Sequence, residues 1–202
     1  MDPYSTTSNQ KNVTAECNFS FRKPVSTDGS DVFALVERCK PLDVNSMYCN
    51  LLQCSHFADT AIVAERGGQM VGFISGYRLP QQPDVLFVWQ VAVDASTRGQ
   101  GLASQMLMQL LIRLGGQVQH LHTTITPDNQ ASWKTFQRLA ATLNAPLNDR
   151  DMFDREQHFN GEHETEKLVH IGPFDLAAIA DPALQARAKH TTQIPSQTTI
   201  QE

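Results

Sequence analysis

From Phe19 onward the chain changes hydrophobic period repeatedly, and each change predicts a new element. Residues 19–23 are short and alternating, as in a strand. Val32, Leu35, Val36 and Cys39 recur at helical spacing, one face of a helix that Thr27 would cap. Asn45 stands where it would cap a second, shorter helix carrying Tyr48, Leu51 and Leu52. Ile62–Arg66 and residues 70–77 flank Gly67-Gly68, the signature of a hairpin, and residues 85–93 form the next β-branched run. Residues 94–97 turn the chain, and the period becomes helical at Leu102, Met106, Leu107, Leu110 and Leu111. Residues 121–126 predict a strand, 129–143 a helix and 167–171 a late strand. This order predicts one α+β domain with a mixed, mostly antiparallel central sheet flanked by helices, and a parallel strand pair around the central helix. The polar start, residues 1–17, and the end, residues 175–202, lack such periodicity; they predict a disordered N-terminal segment and a mobile tail around a domain at 18–174.

Composition narrows the class. The 202 residues are 41% hydrophobic and 18% charged, the balance of a soluble globular domain. No apolar run reaches membrane-spanning length and no signal peptide precedes the polar start, so the expected location is the cytoplasm, with no membrane partner. A net charge of −5 without a basic cluster argues against nucleic acid and mildly favours cationic partners. Cys17, Cys39, Cys49 and Cys54 lack paired metal spacing, so free and mostly buried thiols are expected.

The chemistry concentrates at Arg98-Gly99-Gln100-Gly101-Leu102-Ala103, where a strand passes through a glycine turn into a helix. The first turn of a helix has N–H groups without intrahelical partners and the positive end of the dipole, which suits a phosphate. Gly99 and Gly101 let a ligand approach the backbone, and Arg98 adds a fixed positive charge. There is no Walker loop and no three-glycine dinucleotide fingerprint. Together with Val91 and Val93 in the preceding strand, Arg98, Gly101 and Ala103 resemble motif A of the GNAT acyltransferases. The resemblance implies the GNAT fold and acetyl-CoA as co-substrate. Its pyrophosphate would lie on the turn at Arg98, Gly99, Gln100, Gly101, Leu102 and Ala103, and its thioester against backbone N–H of the strand at Val91, Ala92 and Val93. Pro127-Asp128-Asn129, Ser132 and Phe136 resemble that family's motif B, beside the pantetheine arm. Asn129 and Ser132 are then cofactor contacts, although Asn129 is equally suited to cap the helix. Where many members carry a Tyr that protonates the leaving thiolate, this chain has Phe136.

Further blocks define the acceptor. Residues 41–48 (Pro-Leu-Asp-Val-Asn-Ser-Met-Tyr), 87–93, 123–133 and 161–174 together resemble the GNAT branch that acetylates L-2,4-diaminobutyrate at N4 during ectoine synthesis. The similarity covers about residues 19–174. It implies two substrates, L-2,4-diaminobutyrate and acetyl-CoA, a homodimer and no metal. Substrate binding falls to Asp43, Asn45, Ser46, Tyr48, Trp89, His163 and Glu166. A diammonium substrate needs negative charge, and the attacking amine must lose a proton, so a carboxylate is the natural base. Glu166 and then Asp43 are the catalytic candidates, with Tyr48 as a possible proton donor; base and binder are not separable on sequence. Alternatives are a GNAT enzyme for another diamine or a lysine side chain, a non-catalytic acyl-CoA-binding module, and a metal-dependent hydrolase built on residues 158–166.

Overall fold

The computed structural model describes residues 19–177. The N-terminal segment with Cys17, and the tail beyond residue 177, lie outside the described residues. In chain order the elements are β1 (Ser20–Arg22), α1 (Gly29–Arg38), α2 (Met47–Ser55), β2 (Ile62–Arg66), β3 (Gln69–Leu79), β4 (Gln82–Val93), α3 (Leu102–Leu114), β5 (His120–Ile125), α4 (Gln130–Thr142), β6 (Leu147–Phe153), α5 (Arg155–Phe159) and β7 (Glu166–Ile171). The strands form one sheet in the order β1-β2-β3-β4-β5-β7-β6. Only β4 and β5 pair in parallel. The predicted mixed sheet with flanking helices is therefore the observed one.

Each face of the sheet buries a separate apolar cluster. On one, Leu102, Met106, Leu107, Leu110 and Leu111 of α3 join Phe136 and Leu139 of α4 against Ile74, Leu86, Val88 and Leu121. The predicted stripe of α3 is fully buried. On the other, Val32, Leu35, Val36 and Cys39 lie against Val63, Phe73 and Ala92. A Cβ on Gly72 would meet Met106 Sδ at 2.6 Å, so glycine there lets α3 sit close to the sheet.

One irregularity matters for function. Gly76 pairs with Val88 but Ser75 pairs with Gln90, which leaves Trp89 as an extra residue in β4, a β-bulge. The bulge reverses the alternation. Leu86 and Val88 face the α3 cluster before it and Val91 and Val93 face the same cluster after it, while Gln90 is buried and Ala92 belongs to the opposite cluster.

Two expectations are corrected. Thr27 does not cap α1: residues Ser26–Asp28 form a 3-10 turn, and the Asp28 carboxylate accepts from Val25 N–H at 2.7 Å and from Arg22 at 2.7 and 2.9 Å. Arg22, also bonded to Glu65, holds the Asp28 carboxyl below its usual range. α2 is capped by Ser46 rather than Asn45, with Ser46 Oγ accepting from Cys49 N–H at 3.1 Å. Its buried face carries Asn50, Gln53 and Cys54; Tyr48 and Leu51 point outward. Finally, β6 and α5 occupy stretches without a sequence expectation of strand or helix. β6 is an edge strand, mostly polar, whose Asp149 and Asp151 receive Lys167 at 2.7 and 3.4 Å.

Candidate active site

The β4–β5 pairing covers only Val85↔His120, Leu86↔Leu121 and Phe87↔His122. Beyond it β4 continues to Val93 and β5 to Ile125 without pairing to each other, so the sheet opens between them. α3 follows β4 and α4 follows β5, which brings two helix N-termini to the mouth of this opening.

The turn into α3 is held from below. Asp94 Oδ1 accepts from Ser96 N–H at 2.9 Å and Oδ2 from Arg38 Nε at 2.8 Å. Arg38 first, and then Ser96, pull the Asp94 carboxyl down to about 2. Gly99 and Gly101 have φ of +77° and +74°. A Cβ on Gly99 would meet nothing within 4 Å, and on Gly101 only Gln105 Nε2 at 3.9 Å, so conformation rather than crowding demands glycine, and the space above the turn is open. No side chain caps α3, which leaves its first N–H groups for a ligand. Arg98 and Gln100 are exposed beside them; Leu102 is buried in the core, so only its backbone is available, and Ala103 is half-buried. Across the opening, Asn129 caps α4 by accepting from Ser132 N–H at 3.1 Å. Phe136 is buried in the α3 cluster rather than aimed at the opening.

The predicted acceptor residues fall into two groups. Asp43 and Asn45 lie in the loop between α1 and α2, tied to β4 by Gln90: its Nε2 donates to the Asp43 carbonyl at 3.0 Å and its Oε1 accepts from Asn45 Nδ2 at 3.2 Å. The bulged Trp89 is 48% exposed, with its ring edge-on to Tyr77, and Tyr48 is 70% exposed. Ser46 is engaged as the α2 cap.

The second group starts β7, whose neighbour is β5. His163 Nε2 lies 4.0 Å from Glu166 Oε1. His163 Nδ1 is 2.7 Å from the Glu164 carbonyl, which can only accept, so Nδ1 carries a proton and Nε2 is the atom turned to the carboxylate. Glu166 Oε2 is buried and has no hydrogen-bond partner among the described residues, a costly state that a ligand or water would relieve. The two groups flank the opening from the β4 side and the β5–β7 side; among the described residues no hydrogen bond or ion pair joins them.

In the 158–166 stretch, His158 Nδ1 accepts from Asp154 N–H at 2.9 Å and Arg155 bonds Glu164 at 2.6 Å. Among the described residues no group of three His, Cys, Asp or Glu side chains is arranged to hold a metal ion. Cys39, Cys49 and Cys54 are free; burial raises all three thiols, Cys54 to about 12. Sequence reasoning missed Gln90, which looks like one more polar residue in a strand until the bulge turns it inward.

A sheet splayed between two parallel strands, with an uncapped glycine turn at the head of the helix that follows, defines an acyltransferase that grips a phosphorylated acyl carrier. The chain belongs to the acetyltransferase (GNAT) family, whose profile matches residues 30–141. Within that family it is similar to L-2,4-diaminobutyric acid acetyltransferase of Methylotuvimicrobium alcaliphilum, 53% identical over 153 residues, covering 75% of this chain and 89% of the relative. The protein of that name from Halomonas elongata is 50% identical, with 78% and 83% covered. Among solved structures, diaminobutyrate acetyltransferase EctA of Paenibacillus lautus, in complex with its substrate L-2,4-diaminobutyric acid and coenzyme A, is 40% identical with a TM-score of 0.74, covering 79% of this chain and 97% of that one. Ard1 of Thermoplasma volcanium, 14% identical at a TM-score of 0.63, shares the fold.

Proposed function

We propose that this chain transfers the acetyl group of acetyl-CoA to the N4 amine of L-2,4-diaminobutyrate, giving N4-acetyl-L-2,4-diaminobutyrate and CoA while both substrates are bound. The observation that carries this reading is the 40% identity, over 97% of the relative and 79% of this chain, to the solved structure named with both diaminobutyric acid and coenzyme A. The turn at Arg98, Gly99, Gln100 and Gly101 receives the pyrophosphate, and Leu102 and Ala103 contribute N–H groups. Backbone N–H of β4 at Val91 and Val93, which flank Ala92 and point away from β3, faces the thioester, and one well-aimed donor to the developing oxyanion contributes on the order of 3 kcal/mol. Asn129 and Ser132 line the pantetheine side.

The γ-amine attacks only when neutral, although its ordinary pKa lies well above neutral pH. A carboxylate at the opening removes the proton; the N–C bond forms, the C–S bond breaks, and CoA leaves as a thiolate that takes a proton from solvent. Glu166, with its unpartnered oxygen, is the first choice as base, with His163 beside it. Asp43, Asn45, Ser46, Tyr48 and Trp89 hold the α-amino acid end away from the thioester, so that only N4 is in reach. Because Phe136 is buried, no tyrosine acid is invoked at that position. The same reading makes the chain a cytoplasmic homodimer serving ectoine synthesis.

Mixing the purified chain with acetyl-CoA and L-2,4-diaminobutyrate should release CoA thiol, and NMR of the product should place acetyl on N4. Acetyl on N2, or no diaminobutyrate-dependent release, overturns the reading.

A further inference from the structure

The acceptor loop, residues 40–46, has no regular structure between the Cys39 turn and the α2 cap. Among the described residues, the side-chain hydrogen bonds between this loop and the sheet run through one carboxamide, while Leu42 packs against the adjoining apolar cluster. Gln90 is 8% exposed and uses both ends of its amide on this loop, donating to the Asp43 carbonyl and accepting from Asn45. The bulge at Trp89 creates this arrangement: with regular alternation, position 90 would share the face of Leu86 and Val88 under α3, and would have nothing to hold on the loop side. Gln90 therefore stands between the exposed Trp89 and the half-buried Val91, on the strand that bounds the opening, and fixes where the loop meets that strand.

Its surroundings explain why a polar tie is needed there. Beside the apolar cluster of this face lies a patch of buried polar groups. Ser75, directly across the ladder from Gln90, is buried with its hydroxyl unpartnered, and Asn50 and Gln53 on the inner face of α2 also carry buried unpartnered amide atoms. Leu42 anchors the loop against the cluster of Val63, Phe73 and Ala92, and the directional hydrogen bonds of Gln90 fix Asp43 and Asn45 beyond it.

We propose that Gln90 is a positioning residue for the acceptor: it holds Asp43 and Asn45 at the edge of the opening and so sets diaminobutyrate affinity and the choice between the two amines. This rests on the proposed diaminobutyrate acetyltransfer. Gln90 touches neither substrate and acts through the loop. Because one end donates and the other accepts, the two hydrogen bonds separate chemically. Glutamate at this position keeps the acceptor for Asn45 but sets a carboxylate oxygen against the Asp43 carbonyl, whereas methionine keeps the shape and loses both bonds.

The test is steady-state kinetics of wild type, Gln90→Met, Gln90→Glu and Asn45→Ala, with thermal melting as the folding control. Wild type must first show diaminobutyrate-dependent CoA release; if it does not, the functional reading fails and Gln90 is not implicated. Given wild-type activity, Gln90→Met should raise the diaminobutyrate KM about tenfold or more, leave the acetyl-CoA KM within about twofold, and increase the fraction of N2-acetylated product. Asn45→Ala removes one of the two Gln90 bonds together with a proposed substrate contact and should raise the same constant, and the double variant should be less than additive. A merely structural role would lower the active fraction, reducing kcat with both KM values unchanged, and that result overturns the proposal. If Gln90→Met misfolds, Gln90→Glu still decides: an unchanged diaminobutyrate KM and product ratio in that variant overturns it.

Discussion

At Gly101 the backbone has φ of +74° and open space above it, so two substitutions separate two effects. Gly101→Ala introduces left-handed strain of roughly 1–2 kcal/mol and should raise the acetyl-CoA KM only modestly. Gly101→Glu adds a negative charge where the pyrophosphate is proposed to lie and should raise that KM about tenfold or more; equal KM values for Gly101→Glu and wild type would place the phosphates elsewhere. At the acceptor side the carboxylates differ in environment. Glu166 has one buried, unpartnered oxygen, whereas Asp43 is exposed. Removing one partner of a buried charged contact costs about 3–5 kcal/mol, so Glu166→Ala should lose at least about a hundredfold in kcat/KM for diaminobutyrate. Asp43→Ala should lose less, on the order of tenfold given its exposure. Acetyl-CoA KM should stay near wild type in both, and wild-type behaviour of both variants would remove them from the site. Phe136, buried among apolar side chains, contributes packing: Phe136→Leu should cost about 1–2 kcal/mol in urea unfolding and leave the turnover of properly folded protein unchanged.

At the scale of elements, legibility in the sequence followed from how many neighbours constrain a segment. α3 was readable to the residue because it is packed along its whole length, and its stripe of Leu102, Met106, Leu107, Leu110 and Leu111 has no alternative explanation. The Gly67-Gly68 hairpin was readable because both glycines have positive φ, 59° and 78°, as a two-residue turn requires. β6 was not: an edge strand beyond the helices needs no apolar face, and its Leu-Asn-Asp-Arg-Asp sequence reads as loop. The inner face of α2 was not legible, because it buries Asn50 and Gln53 while exposing Tyr48 and Leu51, a distribution that helical periodicity cannot anticipate. The candidate site was legible where it depends on glycines and a helix start, and illegible where it depends on the bulge. One helix-scale expectation follows from the motif-B cap. Asn129→Ala removes the acceptor for Ser132 N–H and should destabilise the fold by about 1 kcal/mol. An additional rise in the acetyl-CoA KM would show that Asn129 also contacts the cofactor, and a purely thermal effect would restrict it to capping.

For the whole molecule, the half of the sheet formed by β5, β7 and β6 presents His120, His122 and His170 side by side in a cavity of about 420 Å³. His120 Nδ1 lies 2.9 Å from His170 Nε2, and the His122 and His170 rings meet edge-on. Burial first, and then the neighbouring histidines, lower His122 and His170 from their usual values; Arg150 adds to this at His122, while Asp84 and Asp149 also line the cavity. A histidine whose folded pKa is depressed supports the fold while neutral, so its stability contribution is present above the ordinary value of about 6.5 and is lost as pH falls through the lower folded one. The melting temperature should therefore fall as pH drops below about 6.5, and the fall should shrink in His122→Gln; an identical pH dependence in that variant would assign it to other groups. The β4 bulge has a separate consequence for anyone exchanging specificity between relatives. One extra residue changes which side of the strand every later position occupies, so residues 86–88 and 90–93 belong to two reading frames of the same strand. Side chains grafted across Trp89 keep their meaning only if the extra residue is retained, and shortening β4 by one residue would turn the segments before and after it out of phase even with every other side chain unchanged.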